Sequence, residues 1–322
     1  MTKIIAELCQ NHNGDLKILK EMVHAASEAG ADYCKIQSIR SAELTHRKKF
    51  DEGVFKDGKT IVKKRPYDAE LKRLKPLDLS EDDQFKFLEF CKQYKIKPTT
   101  TIFTRSRLKF IEQMNLDLIK ISSFDCASHK MIEEVCLSNI PEIVISTGTA
   151  YDEEIKKTVE ILKKSKKKFS ILHCVSIYPT PIEYANLNRI NYLKSFHKSV
   201  GFSDHSKVED SGINLSVASL LFDIDYIERH FTIIDRDATK DGIVSLKPDE
   251  LTQLTRLAKN KDKKEIQSFI KENFKDYKKC LGLEQRPLTH EELLNRDYYR
   301  GRFASLNSKN EYIYNWEDKE IN

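Results

Sequence analysis

The chain has no apolar run approaching the roughly 20 residues needed to cross a bilayer, and Met1-Thr2-Lys3 leads almost at once into a strand-like segment. No export signal or membrane anchor is visible, so a cytoplasmic location with no membrane partner is expected. The seven cysteines, Cys9, Cys34, Cys91, Cys126, Cys136, Cys174 and Cys280, form no C-x-x-C pair and no compact framework. An odd, scattered set argues against a disulfide scaffold and reads as reduced thiols. Lys plus Arg exceed Asp plus Glu by 55 − 50 = 5, without a basic tail or an aromatic-studded basic module, so a nucleic-acid partner is not expected. The mild positive balance fits a solvated lysine-rich surface and also suits an anionic small substrate. There is no low-complexity tract and no repeat beyond the alternation described next.

Short β-branched runs alternate with amphipathic stretches. Lys3–Leu8, Asp32–Gln37, Pro98–Phe103, Leu118–Ser122, Glu142–Ser146, Phe169–Val175, Ser199–Ser203 and Ile224–Phe231 read as strands. After the first, Asp15 is placed to cap a helix whose Leu16, Leu19, Met22, Val23 and Ala26 share one face, with Gly30 at its end. Ser80 and Asp83 have capping-box spacing before Phe87, Leu88, Cys91 and Tyr94. Ser128–Leu137, Glu153–Lys163, Ile182–Phe196, Asp210–Leu221 and Pro248–Ala258 read as further helices. Eight β-then-α units predict an α/β fold, a (β/α)8 TIM barrel.

Residues 1–260 are assigned to that barrel and 261–322 to a short helical and polar C-terminal extension. Ser38–Leu79 is too long for an ordinary βα loop and concentrates Arg47, Lys48, Lys49, Lys63, Lys64 and Arg65. It is either a lid beside the second strand or a surface insertion.

Polar and ionisable residues gather at the C-terminal ends of the strands, the catalytic face of a barrel. They are Glu7; Lys35 and Gln37; Thr99 to Thr101; Lys120, Ser122, Ser123 and Asp125; Ser146; His173 to Pro179; Ser203 to His205; and Glu228 to His230. One buried Ser or His commonly satisfies a backbone group, but a full ring of them departs from the branched apolar filling of a barrel core. Lys35 and Lys120 lie inside apolar strands, so each needs an anionic partner or a depressed pKa. They read either as buried Lys–carboxylate pairs or, among Ser and Thr donors, as a cradle for an anion bearing both phosphate and carboxylate. His205 and His230 end adjacent strands and form a metal pair, an acid–base pair or a structural pair.

The run Ile5-Ala6-Glu7-Leu8 with Asn11-His12-Asn13-Gly14, then Gly30 to Gln37, resembles the opening signature of the sialic acid synthase family. Thr100-Thr101-Ile102-Phe103, Lys120-Ile121-Ser122-Ser123, Ile145 to Gly148, His173 to Pro181, Gly201 to His205 and Glu228 to Thr232 continue the resemblance in order. It implies that His205 and His230 hold a divalent ion, Mn²⁺ foremost, with Mg²⁺ or Co²⁺ as alternatives. It implies phosphoenolpyruvate at Lys35, Thr101, Lys120, Ser123, Ser146 and Ser203, with Gln37 and Ser176 in the same substrate set. Glu7 and Asp125 become acid–base candidates, and Tyr178 and Asp241 face the sugar. Asp125 and Ser176 depart from the Glu and Asn found in many members, and Thr239-Lys240-Asp241 departs from Gly-Pro-Asp.

Arg300 to Ser305 resembles only the start of the antifreeze-like domain that supplies an arginine to the partner's site; if the long loop is the lid, Arg47, Arg65 or their lysine neighbours are expected to order over the mouth when sugar and phosphoenolpyruvate are both bound. The expected reaction joins phosphoenolpyruvate to an N-acetylmannosamine-like aldehyde, giving a nine-carbon 2-keto sugar acid and phosphate by C–O cleavage, in a possible homodimer. An octulosonate-type synthase and a non-catalytic binding barrel are the alternatives.

Overall fold

The computed structural model describes residues 1–260 and 262–321; Lys261, where the sequence reading begins the extension, and Asn322 lie outside the described residues. Eight parallel strands close into a barrel: β1 (Lys3–Cys9), β2 (Tyr33–Ser38), β3 (Lys97–Ile102), β4 (Leu118–Ile121), β5 (Glu142–Ser146), β6 (Lys168–Cys174), β7 (Val200–Asp204) and β8 (Tyr226–His230), with β8 paired to β1. All eight expected strands are present. Among the described residues no helix is long and apolar enough to cross a membrane.

Inside the barrel, Ile5, Tyr33, Leu118, Val144, Leu172 and Tyr226 form an apolar plug at the lower end. Alternation along each strand brings the next inward positions up as polar groups. Register then sets them side by side: Glu7 is opposite both Lys35 and His230, Thr101 opposite Lys120, and Ser203 opposite Glu228. The layer above the plug is therefore built of chemistry.

The outward strand faces pack on the helices to make the main core, which includes Leu19, Met22, Val23 and Ala26. Asp15 caps that first helix, accepting from Lys17 N at 2.6 Å and Ile18 N at 3.3 Å, and Gly30 follows it at φ +80°. The Ser80–Asp83 capping box forms at the start of Glu81–Tyr94. The helix of the unit after β3, for which the sequence reading named no residues, is the short Leu108–Gln113.

Two spacers are shorter than their periodicity predicts. Ile182–Phe196 is helical only at Ile182–Tyr184 and Arg189–Lys194, with Asn186 at positive φ between them. Asp210–Leu221 is broken by Gly212 at φ +52°, a left-handed turn that no α-helix continues through.

Ser38–Leu79 folds on the barrel rim. It contains an antiparallel hairpin, Val54–Lys56 with Lys59–Val62, and a helix, Tyr67–Leu74. Past the barrel, Lys263–Asn273 buries Ile266 and Ile270, and the chain then climbs to the mouth through the helix His290–Tyr299. The two rim segments dock on each other: Thr45 N donates to Arg302 O at 2.9 Å, Ala304 N to Glu43 O at 3.0 Å, and Lys63 Nζ to Asn295 Oδ1 at 2.6 Å.

Candidate active site at the barrel mouth

A cavity of about 250 Å³ opens at the C-terminal ends of the strands. At its base Lys35 Nζ pairs with Glu7, lies 3.0 Å from Glu228 Oε2 and donates to Thr101 Oγ1 at 3.1 Å. Burial alone would lower its pKa, but Glu228 and Glu7 outweigh burial and raise the ammonium above its ordinary value. Lys120 Nζ donates to Ser146 Oγ at 2.7 Å and Ile121 O at 2.9 Å, and lies 3.9 Å from Glu228. Here burial wins, helped by Lys35 and opposed by Glu228, and the pKa falls. Glu228 resists the effect of burial because Lys120 and Lys35 hold its carboxyl well below the usual range, with Ser203 Oγ donating at 2.9 Å. The arrangement is an anion cradle of two ammoniums edged by hydroxyls.

His205 and His230 face each other with ring centroids 5.5 Å apart. Nδ1–H of His205 donates to Val175 O at 3.3 Å, which directs the Nε2 lone pair into the site. Burial first, then His230, lowers the His205 pKa to about 3, keeping the ring neutral as a ligand must be. His230 Nδ1 is buried without a hydrogen-bond partner among the described residues. The neutral His205 ring facing a second imidazole with an orphaned nitrogen fits a divalent ion. His230 also groups with Cys9 and Asp241, whose ligand atoms lie within 4.8 Å of one another. Behind the pair, Arg229 Nη1 meets Asp204 Oδ1 at 2.6 Å with both side chains fully buried, and Arg229 also holds Ser206 O at 2.9 Å. These bonds fix the ends of β7 and β8 that present the histidines.

Gln37, Ser123, Asp125, Ser146, Tyr178, Ser203 and Asp241 line the same cavity. Ser176 does not, contrary to expectation: it is buried behind Ser123, Oγ to Oγ at 2.8 Å, and its carbonyl accepts from Asn295 Nδ2 at 2.7 Å. Its short side chain supports Ser123 from behind. Asp125 is fully engaged, accepting from Ser122 at 3.1 Å and from Ser128 and Asn315 at 2.9 Å each. Burial raises its pKa against those hydrogen bonds. The exposed Tyr178 ring stands 4.3 Å from that of His205.

Of the loop cations expected at the mouth, Arg47 is engaged elsewhere. Its guanidinium donates to the carbonyls of Asp297, Tyr298 and Arg300, capping the end of His290–Tyr299, where free carbonyls attract a cation. Arg65 does line the cavity. Sequence reasoning missed Glu228 as the shared counter-ion, although two lysines inside strands call for carboxylates beyond Glu7. It also missed Arg73, Lys240, Tyr299, Arg302 and Asn315, which reach the cavity from the rim segments and the loop after β8.

The NeuB family profile matches residues 22–267, from the first crossover helix to the first helix beyond the barrel. An uncharacterised protein of Methanocaldococcus jannaschii is 34% identical over 255 residues, covering 79% of this chain and 68% of its own. The N,N'-diacetyllegionaminic acid synthase of Campylobacter jejuni is 29% identical over 265 residues, covering 79% of this chain and 74% of its own. The crystal structure of the N-acetylneuraminic acid synthetase of Leptospira borgpetersenii superposes with a TM-score of 0.69 at 28% identity, covering 92% of this chain and 90% of that one. The chain therefore belongs to the NeuB family and is an enzyme of the sugar-acid synthase type.

Proposed function

We propose that the enzyme condenses phosphoenolpyruvate with an acetamido-sugar aldehyde to give a nine-carbon 2-keto sugar acid and inorganic phosphate. The observation that carries this reading is the buried pair Lys35 and Lys120 among the hydroxyls of Thr101, Ser146 and Ser203. A small molecule with both a carboxylate and a phosphate satisfies such a cradle, and burial strengthens each charge-assisted hydrogen bond.

The cradle holds phosphoenolpyruvate with its C3 toward the cavity mouth, where the aldehyde enters between Tyr178 and Asp241. A new bond joins C3 to the aldehyde carbon, whose oxygen takes up a proton and becomes a hydroxyl. Water adds to C2, the bond from C2 to the bridging oxygen breaks, and that oxygen leaves with inorganic phosphate. Glu7, oriented by Lys35 and by Cys9 N–H donating to its Oε1 at 2.7 Å, handles the proton transfers. His205 and His230 would hold a divalent ion, Mn²⁺ foremost, which when bound supplies Lewis-acid polarisation of the aldehyde oxygen.

The test is one panel: phosphoenolpyruvate labelled with ¹⁸O at the bridge, several acetamido sugars and Mn²⁺, reading phosphate and keto acid together. Label in the phosphate supports C–O cleavage. Label retained in the sugar acid, or no coupled release with any acceptor, overturns the reaction.

A further inference from the structure

Three consecutive residues at the end of β4 are each held by the segment beyond the barrel. Asp125 accepts from Asn315 Nδ2 at 2.9 Å. Phe124 stacks on Tyr299, with ring centroids 4.5 Å apart and 23° between the planes. Ser123 is gripped through two intermediaries. Its hydroxyl meets Ser176 Oγ at 2.8 Å, and the Ser176 carbonyl accepts from Asn295 Nδ2 at 2.7 Å. Its carbonyl accepts from Thr149 Oγ1 at 3.2 Å, and the Thr149 carbonyl accepts from Arg296 Nη1 at 2.5 Å.

The stretch Ser123–Asp125 has little to hold itself with. It is one 3-10 turn, closed by Asp125 N to Ser122 O at 3.1 Å and Cys126 N to Ser123 O at 3.4 Å. Phe124 is half-buried, and among the described residues Tyr299 is its one ring-stacking partner. The gripping segment is better anchored. On its way to the mouth it is tied to the barrel by Leu187 N to Cys280 O at 2.8 Å, Asn188 N to Leu281 O at 2.9 Å and Arg296 Nη1 to Glu154 Oε2 at 2.9 Å. Tyr299 is the last residue of its helix, and the guanidinium of Arg302, itself paired with Glu70, lies 5.4 Å from its ring. An offset stack on a ring fixed in this way orders the looser partner.

We infer that Tyr299 is a positioning residue of the active site: through its stack on Phe124 it sets the β4 turn, and with it the Ser123 hydroxyl and the Asp125 carboxylate. Both groups belong to the cavity wall. The inference rests on the condensation proposed above, in which Ser123 is read with the phosphoenolpyruvate set and Asp125 as an acid–base candidate. Tyr299 acts here by the place and shape of its ring and needs no bond to substrate. Small displacements of such a turn carry large penalties, because hydrogen bonds to a charged ligand depend steeply on reach.

The experiment follows amide hydrogen exchange across residues 122–128 and equilibrium binding of phosphoenolpyruvate, on the full chain, in wild type, Tyr299→Leu and Tyr299→Phe. In Tyr299→Leu exchange in the turn should quicken about threefold or more, with β1 and β8 exchanging as in wild type. Phosphoenolpyruvate should bind about tenfold more weakly. Tyr299→Phe, which keeps the ring, should bring both readings back close to wild type. Phe124→Leu removes the same stack from the turn side and should loosen the turn alike, and the double variant Phe124→Leu, Tyr299→Leu should go no further than either change alone. Unaltered exchange in the turn, or exchange quickened equally throughout the barrel, overturns the inference. So does a loosened turn with unchanged phosphoenolpyruvate binding, or additive effects in the double variant. A loss of binding that Tyr299→Phe does not repair also overturns it and makes the hydroxyl a substrate contact. Turnover is read separately. A loosened turn and weakened binding, both repaired by Tyr299→Phe, without keto acid from any acceptor would sink the condensation and leave the positioning role standing.

Discussion

Asn315 donates its side-chain amide to the Asp125 carboxylate, Nδ2 to Oδ1 at 2.9 Å, and also holds Phe103 O at 2.8 Å. The segment after the barrel is thus hydrogen-bonded to a candidate acid–base residue at the end of β4. Burial raises the Asp125 pKa, and Asn315 provides the largest opposing effect. Asn315→Ala removes that opposition, so the Asp125 pKa rises further and the acid limb of the turnover profile moves to higher pH. A hydrogen bond worth about 1 kcal/mol limits the move to roughly one pH unit or less. An unmoved acid limb with a normally folded variant would remove Asp125 from the titrating machinery.

Glu228 separates the two lysines electrically, opposing burial at both. In Glu228→Gln, burial and the mutual repulsion of Lys35 and Lys120 go unopposed by that carboxylate, so the lysines lose their protons at lower pH. The alkaline limb of kcat/KM for phosphoenolpyruvate should then shift down by about one unit or more. A profile identical to wild type on the alkaline side would show that neither lysine titrates in the recognition of phosphoenolpyruvate.

Two overlapping sets of side chains can hold a metal at His230: the pair with His205, or the group with Cys9 and Asp241. Mn²⁺ favours nitrogen and oxygen donors over sulfur. Mn²⁺ titration should therefore show binding lost in His230→Ala, weakened about tenfold or more in His205→Ala and retained in Cys9→Ser. Binding lost in Cys9→Ser yet intact in His205→Ala would move the ion to the Cys9 side of His230.

The barrel was legible because its strands are short β-branched runs and its polar residues collect at one end of each. Lys35 and Lys120 announced themselves as cations where burial forbids unpaired charge. What escaped was set by distant contacts. Asn315 meets Asp125 across 190 positions, and nothing local marks a polar tail residue for that role. Arg47 was legible as a cation near the mouth, but its direction depended on where the helix His290–Tyr299 ends. Ser176 sits in the right run of residues and one side chain too deep, a difference that only packing decides. The broken spacers failed for a local reason: apolar periodicity continues through Asn186 and Gly212, while their positive φ values end the helices.

His173 gives a stability test independent of catalysis. Its Nε2–H donates to Ala185 O at 2.6 Å, its Nδ1 is buried without a partner among the described residues, and its ring lies 5.7 Å from that of Phe202. Burial first, then Arg286, lowers its pKa from 6.5 to about 3. Between those two values the unfolded chain binds a proton that the folded chain refuses. Stability is therefore unaffected by this group above 6.5 and falls as the pH drops toward 3, by up to about 1.4 kcal/mol per pH unit for one proton. His173→Gln keeps a donor for Ala185 and removes the titration. Urea unfolding of both proteins at about pH 7.5 and about pH 5 should show wild type losing more stability than the variant on acidification, whatever constant offset the substitution introduces. Parallel losses in the two proteins would mean that His173 titrates alike in the folded and unfolded chains, and that its burial does not oppose protonation.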